Sequence, residues 1–124
     1  MEIAADMKYH EGFPVLHLSG ELDMASLGIL NERLDELVDH HKCAILHVNE
    51  VTYTDADSVD MFLKARDVFN QRGGTLAFVC CQEQVVRVLQ TLGLLQDIDT
   101  FDNLDGAAAH LRPICPHGPN LDSG

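Results

Sequence analysis

The chain has 124 residues, enough for one ordinary domain, and 46% of them are hydrophobic, which is sufficient for a core. Its 20 acidic and 8 basic residues give a net charge of -12, which argues against partners rich in phosphate, namely nucleic acid and anionic membrane surfaces. No apolar run is long enough to span a bilayer, and no signal peptide is evident, so we expect a cytoplasmic protein without direct membrane insertion.

The first third of the chain predicts a hairpin followed by a helix. Residues 3–9 alternate between apolar and more polar side chains, which is the period of a β-strand, and residues 15–19 form a second short strand after a turn. Gly20-Glu21-Leu22-Asp23 indicates a loop. Beyond it the apolar residues change to helical spacing, at Leu27, Leu30, Leu34, Leu37 and Val38.

The middle third predicts a buried strand, a polar loop and a second helix. Residues 43–48 are a strand of the buried type, and residues 49–54 lead into an acidic loop. We expect Asp55 or Asp57 at the N-terminus of a helix that runs to about Arg72 and is ended by Gly73-Gly74. Its apolar face contains Met61, Phe62, Ala65, Val68 and Phe69.

The last third predicts a strand over residues 75–81, a third helix, a short strand over residues 98–101 and a small fourth helix. The third helix has its apolar face at Val85, Val88, Leu89 and Leu92, and Gly93 ends it. The fourth begins at Asp102 or Asn103 and buries Leu104, Ala107, Ala108 and Leu111. Residues 113–124 contain three prolines and two glycines, so we expect a domain over residues 1–112 and a disordered tail after it.

This alternation of strands and helices after an opening hairpin predicts the fold class. We expect an α/β fold with a small, mostly parallel sheet, an N-terminal hairpin strand at its edge and about four packed helices.

The sequence contains no motif typical of an enzyme or of a metal or cofactor site. Motifs for dinucleotide, phosphate-loop, zinc-protease and serine-hydrolase sites are missing, and the histidines have no repeated ligand spacing. Asp55 with Asp57 or Asp60 is the only candidate acid–base set, and capping of a helix explains these carboxylates better than catalysis does. The cysteines, which form no C-x-x-C pair, are expected to be reduced: Cys43, Cys80, Cys81 and Cys115.

Three motifs, in order, resemble the STAS domain family of anti-sigma factor antagonists. They are the Gly-Glu-Leu-Asp loop at residues 20–23, the loop and helix start at residues 51–58, and the segment at residues 85–94 with its Gly-Leu exit. The resemblance covers residues 3–111 and implies the fold expected above. It also implies that the second motif carries a serine that a partner kinase, itself the anti-sigma factor, phosphorylates to release the antagonist.

At that position the chain differs from the family pattern. Asp55 matches the family aspartate, but Ala56 replaces the phosphorylated serine, Asp57 the second serine and Ser58 the glycine. An acidic family position at the end of the third strand is His47. Three interpretations stay open: the switch is lost, Asp57 supplies a fixed negative charge, or a neighbouring hydroxyl of Ser58, Thr54 or Thr52 accepts phosphate.

The resemblance implies a bacterial, non-enzymatic protein-interaction module that regulates transcription by partner switching or within a stressosome-like assembly. Its partner would be a kinase-type anti-sigma factor or a STAS-containing complex. The alternative is a small STAS subunit bound to the ATPase of a lipid transporter. In both cases the resemblance implies a partner surface made of Asp23, Met24, Ala25, Thr54, Asp55, Ala56, Asp57, Ser58 and Asp60.

Overall fold

The computed structural model describes residues 3–79, 86, 87, 90, 91 and 99–115. In these ranges the strands are β1 (Ala4–His10), β2 (Phe13–Leu22), β3 (Cys43–Thr54), β4 (Thr75–Val79) and β5 (Thr100–Phe101). The complete helices are α1 (Leu27–His40), α2 (Ala56–Gln71) and α3 (Leu104–Leu111), and one turn of 3-10 helix (Met24–Ser26) precedes α1.

The strands form one five-stranded sheet in the order β1-β2-β3-β4-β5. β1 pairs antiparallel with β2 through a two-residue turn, and the other three pairings are parallel. Glu11 and Gly12 form this turn with φ angles of 51° and 85°, the backbone twist that a tight hairpin requires. The predicted α/β class, with a hairpin strand at one edge of a mostly parallel sheet, is confirmed.

The helices cover the two faces of the sheet unequally. α1 and α2 lie on one face, where their buried residues pack with those of the strands, including Leu16, Leu46 and Phe78. The shorter α3 lies on the other face against Phe13, Val15, Cys43, Ile45, Ala77 and Val79. α3 is only 8 residues long. Toward the carboxyl ends of β2 and β3 the same strands carry the register partners His17 and His47.

The second helix has the predicted bounds and orientation. Asp55 is its N-cap and Gln71 its last residue, and Phe62, Ala65 and Phe69 are buried in the core. The chain leaves the helix at Gly73, whose φ of 83° is in the left-handed region. Gly74 then passes so close to the Lys42 carbonyl that a Cβ would meet it, which explains the second glycine of the pair.

β2 and β3 are longer than their sequence patterns indicated. The predicted loop over residues 20–23 and the lead-in over residues 49–54 are mostly strand, since β2 extends to Leu22 and β3 to Thr54. They pair in parallel over this extension, with shifts of register after His17 and after Gly20. Gly20 has a φ of 98°, so the conformation that suggested a loop is a local irregularity inside a continuing strand.

The predicted third helix falls mainly outside the described residues. Residues 86, 87, 90 and 91 are helical, but Val85, Val88, Leu89, Leu92 and Gly93 are not described, and neither are Cys80, Cys81 and Ile98. Three complete helices are therefore described where about four were predicted.

The expectation of reduced cysteines is wrong for two of the four. Cys43 and Cys115 form a disulfide across 72 positions of the sequence. The predicted tail also differs at residues 113–115, which continue from α3 in a turn where the Cys115 N–H donates to the Leu111 carbonyl at 2.8 Å. This turn brings Cys115 over the start of β3, where both cysteines are buried. Residues 116–124 of the predicted tail lie outside the described residues.

Candidate functional site

Two loops leave the sheet side by side at the carboxyl ends of β2 and β3. Leu22 and Thr54 are register partners in adjacent parallel strands, so the residues that follow them leave the sheet at the same level. Each strand is followed at once by an aspartate that caps a helix, Asp23 after β2 and Asp55 after β3. The structure therefore brings the two parts of the predicted partner surface together.

The first loop is a capped turn of 3-10 helix. Asp23 Oδ1 accepts a hydrogen bond from the Ala25 N–H at 3.0 Å, and the Asp23 N–H donates to Ser26 Oγ at 3.0 Å. These reciprocal bonds satisfy backbone groups that the helix start leaves free. They hold Met24 with 77% of its surface exposed, the highest value among the large apolar side chains of the described residues.

The second loop is the N-terminus of α2. Asp55 is extended, and its Oδ1 accepts from the Ser58 N–H at 2.9 Å. Ala56 and Asp57 occupy the first turn and are exposed, and the Asp57 carboxylate lies at the positive end of the helix dipole. One turn further, Asp60 forms an ion pair with Lys64 at 3.1 Å. The loop thus offers an exposed alanine between a capping carboxylate and an exposed carboxylate.

The two hydroxyl groups closest to Ala56 in the sequence point into the protein. Ser58 is 0% exposed and Thr54 is 3% exposed. Thr54 Oγ1 donates to the Asp55 carbonyl at 3.5 Å, whereas Ser58 Oγ has no hydrogen-bond partner among the described residues. Thr52 is exposed, and its hydroxyl donates to the Gly20 carbonyl at 3.3 Å. A kinase can therefore reach neither Ser58 nor Thr54 in the folded chain without local opening.

Sequence reasoning missed Tyr53, which is exposed at the end of β3 opposite Glu21. Tyr53 lies between the buried residues Val51 and Thr54. Its exposure was not predicted, because the segment was interpreted as a lead-in to a loop. Tyr53 adds a second large exposed side chain near the strand ends, and such residues are frequent in interface centres.

A pair of partly buried histidines on the second sheet face was also missed. His17 and His47 are register partners in β2 and β3, and their ring centroids are 4.2 Å apart. His17 Nε2 lies 3.6 Å from Glu50 Oε1. Burial and then the neighbouring His17 lower the pKa of His47, although Glu50 acts in the opposite direction. Period-2 patterns place each histidine in a strand but do not give the register that makes them neighbours.

The lowered pKa of His47 predicts a loss of stability in mild acid. The ordinary histidine pKa is 6.5, so as the pH falls below it the unfolded chain takes up a proton before the folded chain does. Uptake by the unfolded state reduces the free energy of unfolding. We expect His47→Gln to reduce this acid-dependent loss, measured by urea unfolding at several pH values on both sides of 6.5. An unchanged pH dependence in the variant would contradict the assignment to His47.

Among the described residues, one group has the composition of a metal site. Ligand atoms of His10, Glu11 and Asp105 lie within 4.8 Å of one another. His10 Nε2 is 2.7 Å from Asp105 Oδ1, and the Arg112 guanidinium contacts the Glu11 carboxylate. These ion pairs explain the cluster as a link between the hairpin turn and α3.

The helices of the described ranges include none with the length and apolar composition to cross a membrane.

Comparisons with known proteins give the family. The family model described as STAS domain matches residues 4–107. The chain is 26% identical over 116 residues to the anti-sigma F factor antagonist of Paenibacillus polymyxa, covering 92% of this chain and 99% of that protein. It is also 26% identical over 106 residues to the anti-sigma-B factor antagonist of Bacillus subtilis (strain 168), covering 86% of this chain and 97% of the relative.

A solved structure shares the fold. The crystal structure of an anti-sigma factor antagonist from Mycobacterium paratuberculosis superimposes with a TM-score of 0.81. It covers 89% of this chain and 94% of that one at 19% identity, which is a similarity of fold alone. Because the family model matches most of the chain, the chain belongs to the STAS domain family.

Proposed function

We propose that this chain is a non-enzymatic interaction module that acts as an anti-sigma factor antagonist in a partner-switching or stressosome-like system. Its partner is a kinase-type anti-sigma factor, and the chain binds this partner without being phosphorylated at position 56, where the family has a serine. The names of the two relatives support an anti-sigma factor as the partner, and the kinase activity of that partner is part of the proposal.

The proposal rests on the exposed surface at the carboxyl ends of β2 and β3. Met24 projects from the first loop with most of its surface exposed, and Ala56 and Asp57 are exposed at the start of α2 in the adjacent loop. A large apolar side chain beside carboxylates suits a partner that presents an apolar pocket with a basic rim. This chemistry fits a protein partner and needs no cofactor.

Burial supports the first interpretation of the switch, in which it is lost. Ala56 has no hydroxyl, and two of the three neighbours considered as replacements, Ser58 and Thr54, are inside the fold. The third, Thr52, is exposed, but it lies in β3 rather than at the helix start, and its hydroxyl donates to the Gly20 carbonyl. Asp57 carries only one negative charge, whereas a phosphate adds about two. We therefore infer that the chain binds its partner constitutively and that ATP does not release it.

A cytoplasmic location is part of this proposal, because sigma factors act inside the cell. Disulfides are uncommon in that reducing compartment. In this chain both sulfurs belong to residues that are at most 1% exposed, and restricted access slows exchange with cellular thiols.

The test measures how tightly two variants bind the partner. Each variant carries one charge reversal on α2. Asp57→Lys should weaken binding of the cognate kinase-type anti-sigma factor by about tenfold or more, because it places a cation on the contact surface. Asp67→Lys makes the same change on exposed surface near the far end of α2 and should leave the affinity unchanged. Titration calorimetry with purified proteins measures both.

Two results would contradict the proposal. Equal affinities for both variants and the wild type would exclude this surface. Failure of the wild-type chain to bind any kinase-type anti-sigma factor, combined with binding to a transporter ATPase, would favour the alternative function.

A further inference from the structure

The outer edge of β1 is open and carries the features of an interface. β1 is the first strand of the sheet, and no described residue pairs with its outer side. It is 7 residues long, and an unprotected edge of this kind presents free N–H and C=O groups to another strand. Two large apolar side chains project beside it, Met7 with 42% and Tyr9 with 60% of their surfaces exposed.

The hairpin determines which backbone groups face outward. The two-residue turn makes His10 and Phe13 a hydrogen-bonded pair, and bonded and non-bonded pairs alternate along an antiparallel ladder. Lys8 and Asp6 are therefore bonded to β2. The N–H and C=O groups of Ala5, Met7 and Tyr9 point away from it and are available to a partner.

We propose that this edge pairs with the same edge of a second copy of the chain, around a two-fold axis at Met7. In this arrangement Met7 lies opposite Met7, and Tyr9 lies opposite Ala5, so all three outward-facing residues form hydrogen-bonded pairs. The two sheets join into one sheet of ten strands, with the antiparallel pair of β1 strands at its centre.

The charges on the edge select this register. With the axis at Met7, each Lys8 lies directly opposite the second copy's Asp6, and both are exposed. Neither residue has an ion-pair partner within the described part of the chain. A shift of the axis to Asp6 would oppose two aspartates, and a shift to Lys8 would oppose two lysines, which is unfavourable in directly opposed positions. Sliding the second strand by a single residue would place the axis between two residues and pair outward-facing with inward-facing positions, which the hydrogen-bond pattern excludes.

The apolar residues support the same register. Met7 and Tyr9 lie on the sheet face that carries α1, because Met7 is the register partner of the core residue Leu16. Pairing buries the two Met7 side chains against each other and covers the partly buried Ala5 with Tyr9. The net charge of -12 opposes association, but physiological salt screens repulsion beyond about 8 Å and leaves these direct contacts.

This inference goes beyond the proposed function and does not depend on it. The two-fold axis makes β2 of the two copies run in opposite directions, so the strand ends with Met24 and Asp57 lie at opposite ends of the joined sheet. A dimer of this kind holds two partners at once, and neither partner surface is covered.

The test is a charge exchange across the axis, measured by sedimentation equilibrium of the full chain at physiological salt. We expect the wild-type chain to form dimers between micromolar and millimolar concentrations. Lys8→Asp should weaken the dimer by about tenfold or more, because two attractive contacts become repulsive. The double variant Asp6→Lys with Lys8→Asp should restore it, and Lys64→Asp on α2 should have no effect.

Each other result would overturn the proposal. A wild-type chain that stays monomeric at millimolar concentration has no such interface. A dimer that Lys8→Asp does not weaken, or that the double exchange does not restore, uses another surface or register. Circular dichroism on each variant verifies that the fold is kept, as expected for exposed positions.

Discussion

Phe62→Ala is expected to destabilise the chain by about 3–5 kcal/mol, a large part of the total stability of a domain this size. Phe62 is buried between α2 and the sheet, and its ring centroid lies 5.8 Å from that of Phe78 in β4. The substitution removes this ring contact and leaves a cavity that the strands on one side and α1 on the other cannot close. Urea unfolding measures the loss.

Phe101→Ala provides the matched control for this substitution. Phe101 is only partly buried, at the end of the short β5, where its ring packs against His110. The same atoms are removed there, but less apolar surface returns to water, so a clearly smaller loss of stability is expected. Equal losses for the two variants would mean that α2 does not form the core contact described.

The regular elements were predictable because their signals are local. Leu30, Leu34 and Leu37 share one helical face whatever the rest of the chain does, and they are buried in α1. Asp55 shows the same for helix capping, since its role needs only the next three residues. A sequence pattern of this kind gives an element and its buried face directly.

The structure differs from the sequence-based prediction where residues far apart in the chain interact. β2 continues through Gly20 because β3 extends beside it, and no feature of residues 20–22 contains that information. Cys43 and Cys115 are 72 positions apart in the sequence and are brought together by the packing of α3 on the sheet. In the candidate site, Asp55 was predictable as a cap, whereas the inward direction of Ser58 depends on how α2 packs.

The second large effect is expected at position 56. Incubation of the wild-type chain with its cognate kinase-type anti-sigma factor and ATP should add no phosphate. Ala56 has no hydroxyl, Ser58 and Thr54 are buried, and the exposed Thr52 lies in β3 with its hydroxyl bonded to the Gly20 carbonyl. Ala56→Ser places an exposed hydroxyl directly after the N-cap Asp55. We expect about one phosphate per chain, and the phosphorylated variant should bind the partner at least about tenfold more weakly, because about two negative charges enter the contact surface. Mass spectrometry and calorimetry measure the two effects.

Ala25→Ser is a control. It tests whether the kinase recognises the start of α2 or phosphorylates any exposed hydroxyl. Ala25 is also exposed and lies in the adjacent loop, but it does not begin a long helix. If the kinase recognises the start of α2, this control stays unphosphorylated while Ala56→Ser is modified. The nearby Asp57 slows the phosphorylation of Ala56→Ser, because its negative charge repels the added phosphate. Phosphate on Ser58 or Thr54 of the wild-type chain, with loss of binding, would show that the switch has moved to a neighbouring hydroxyl through local opening of α2. In that case binding would not be constitutive, even though the surface itself would be correct.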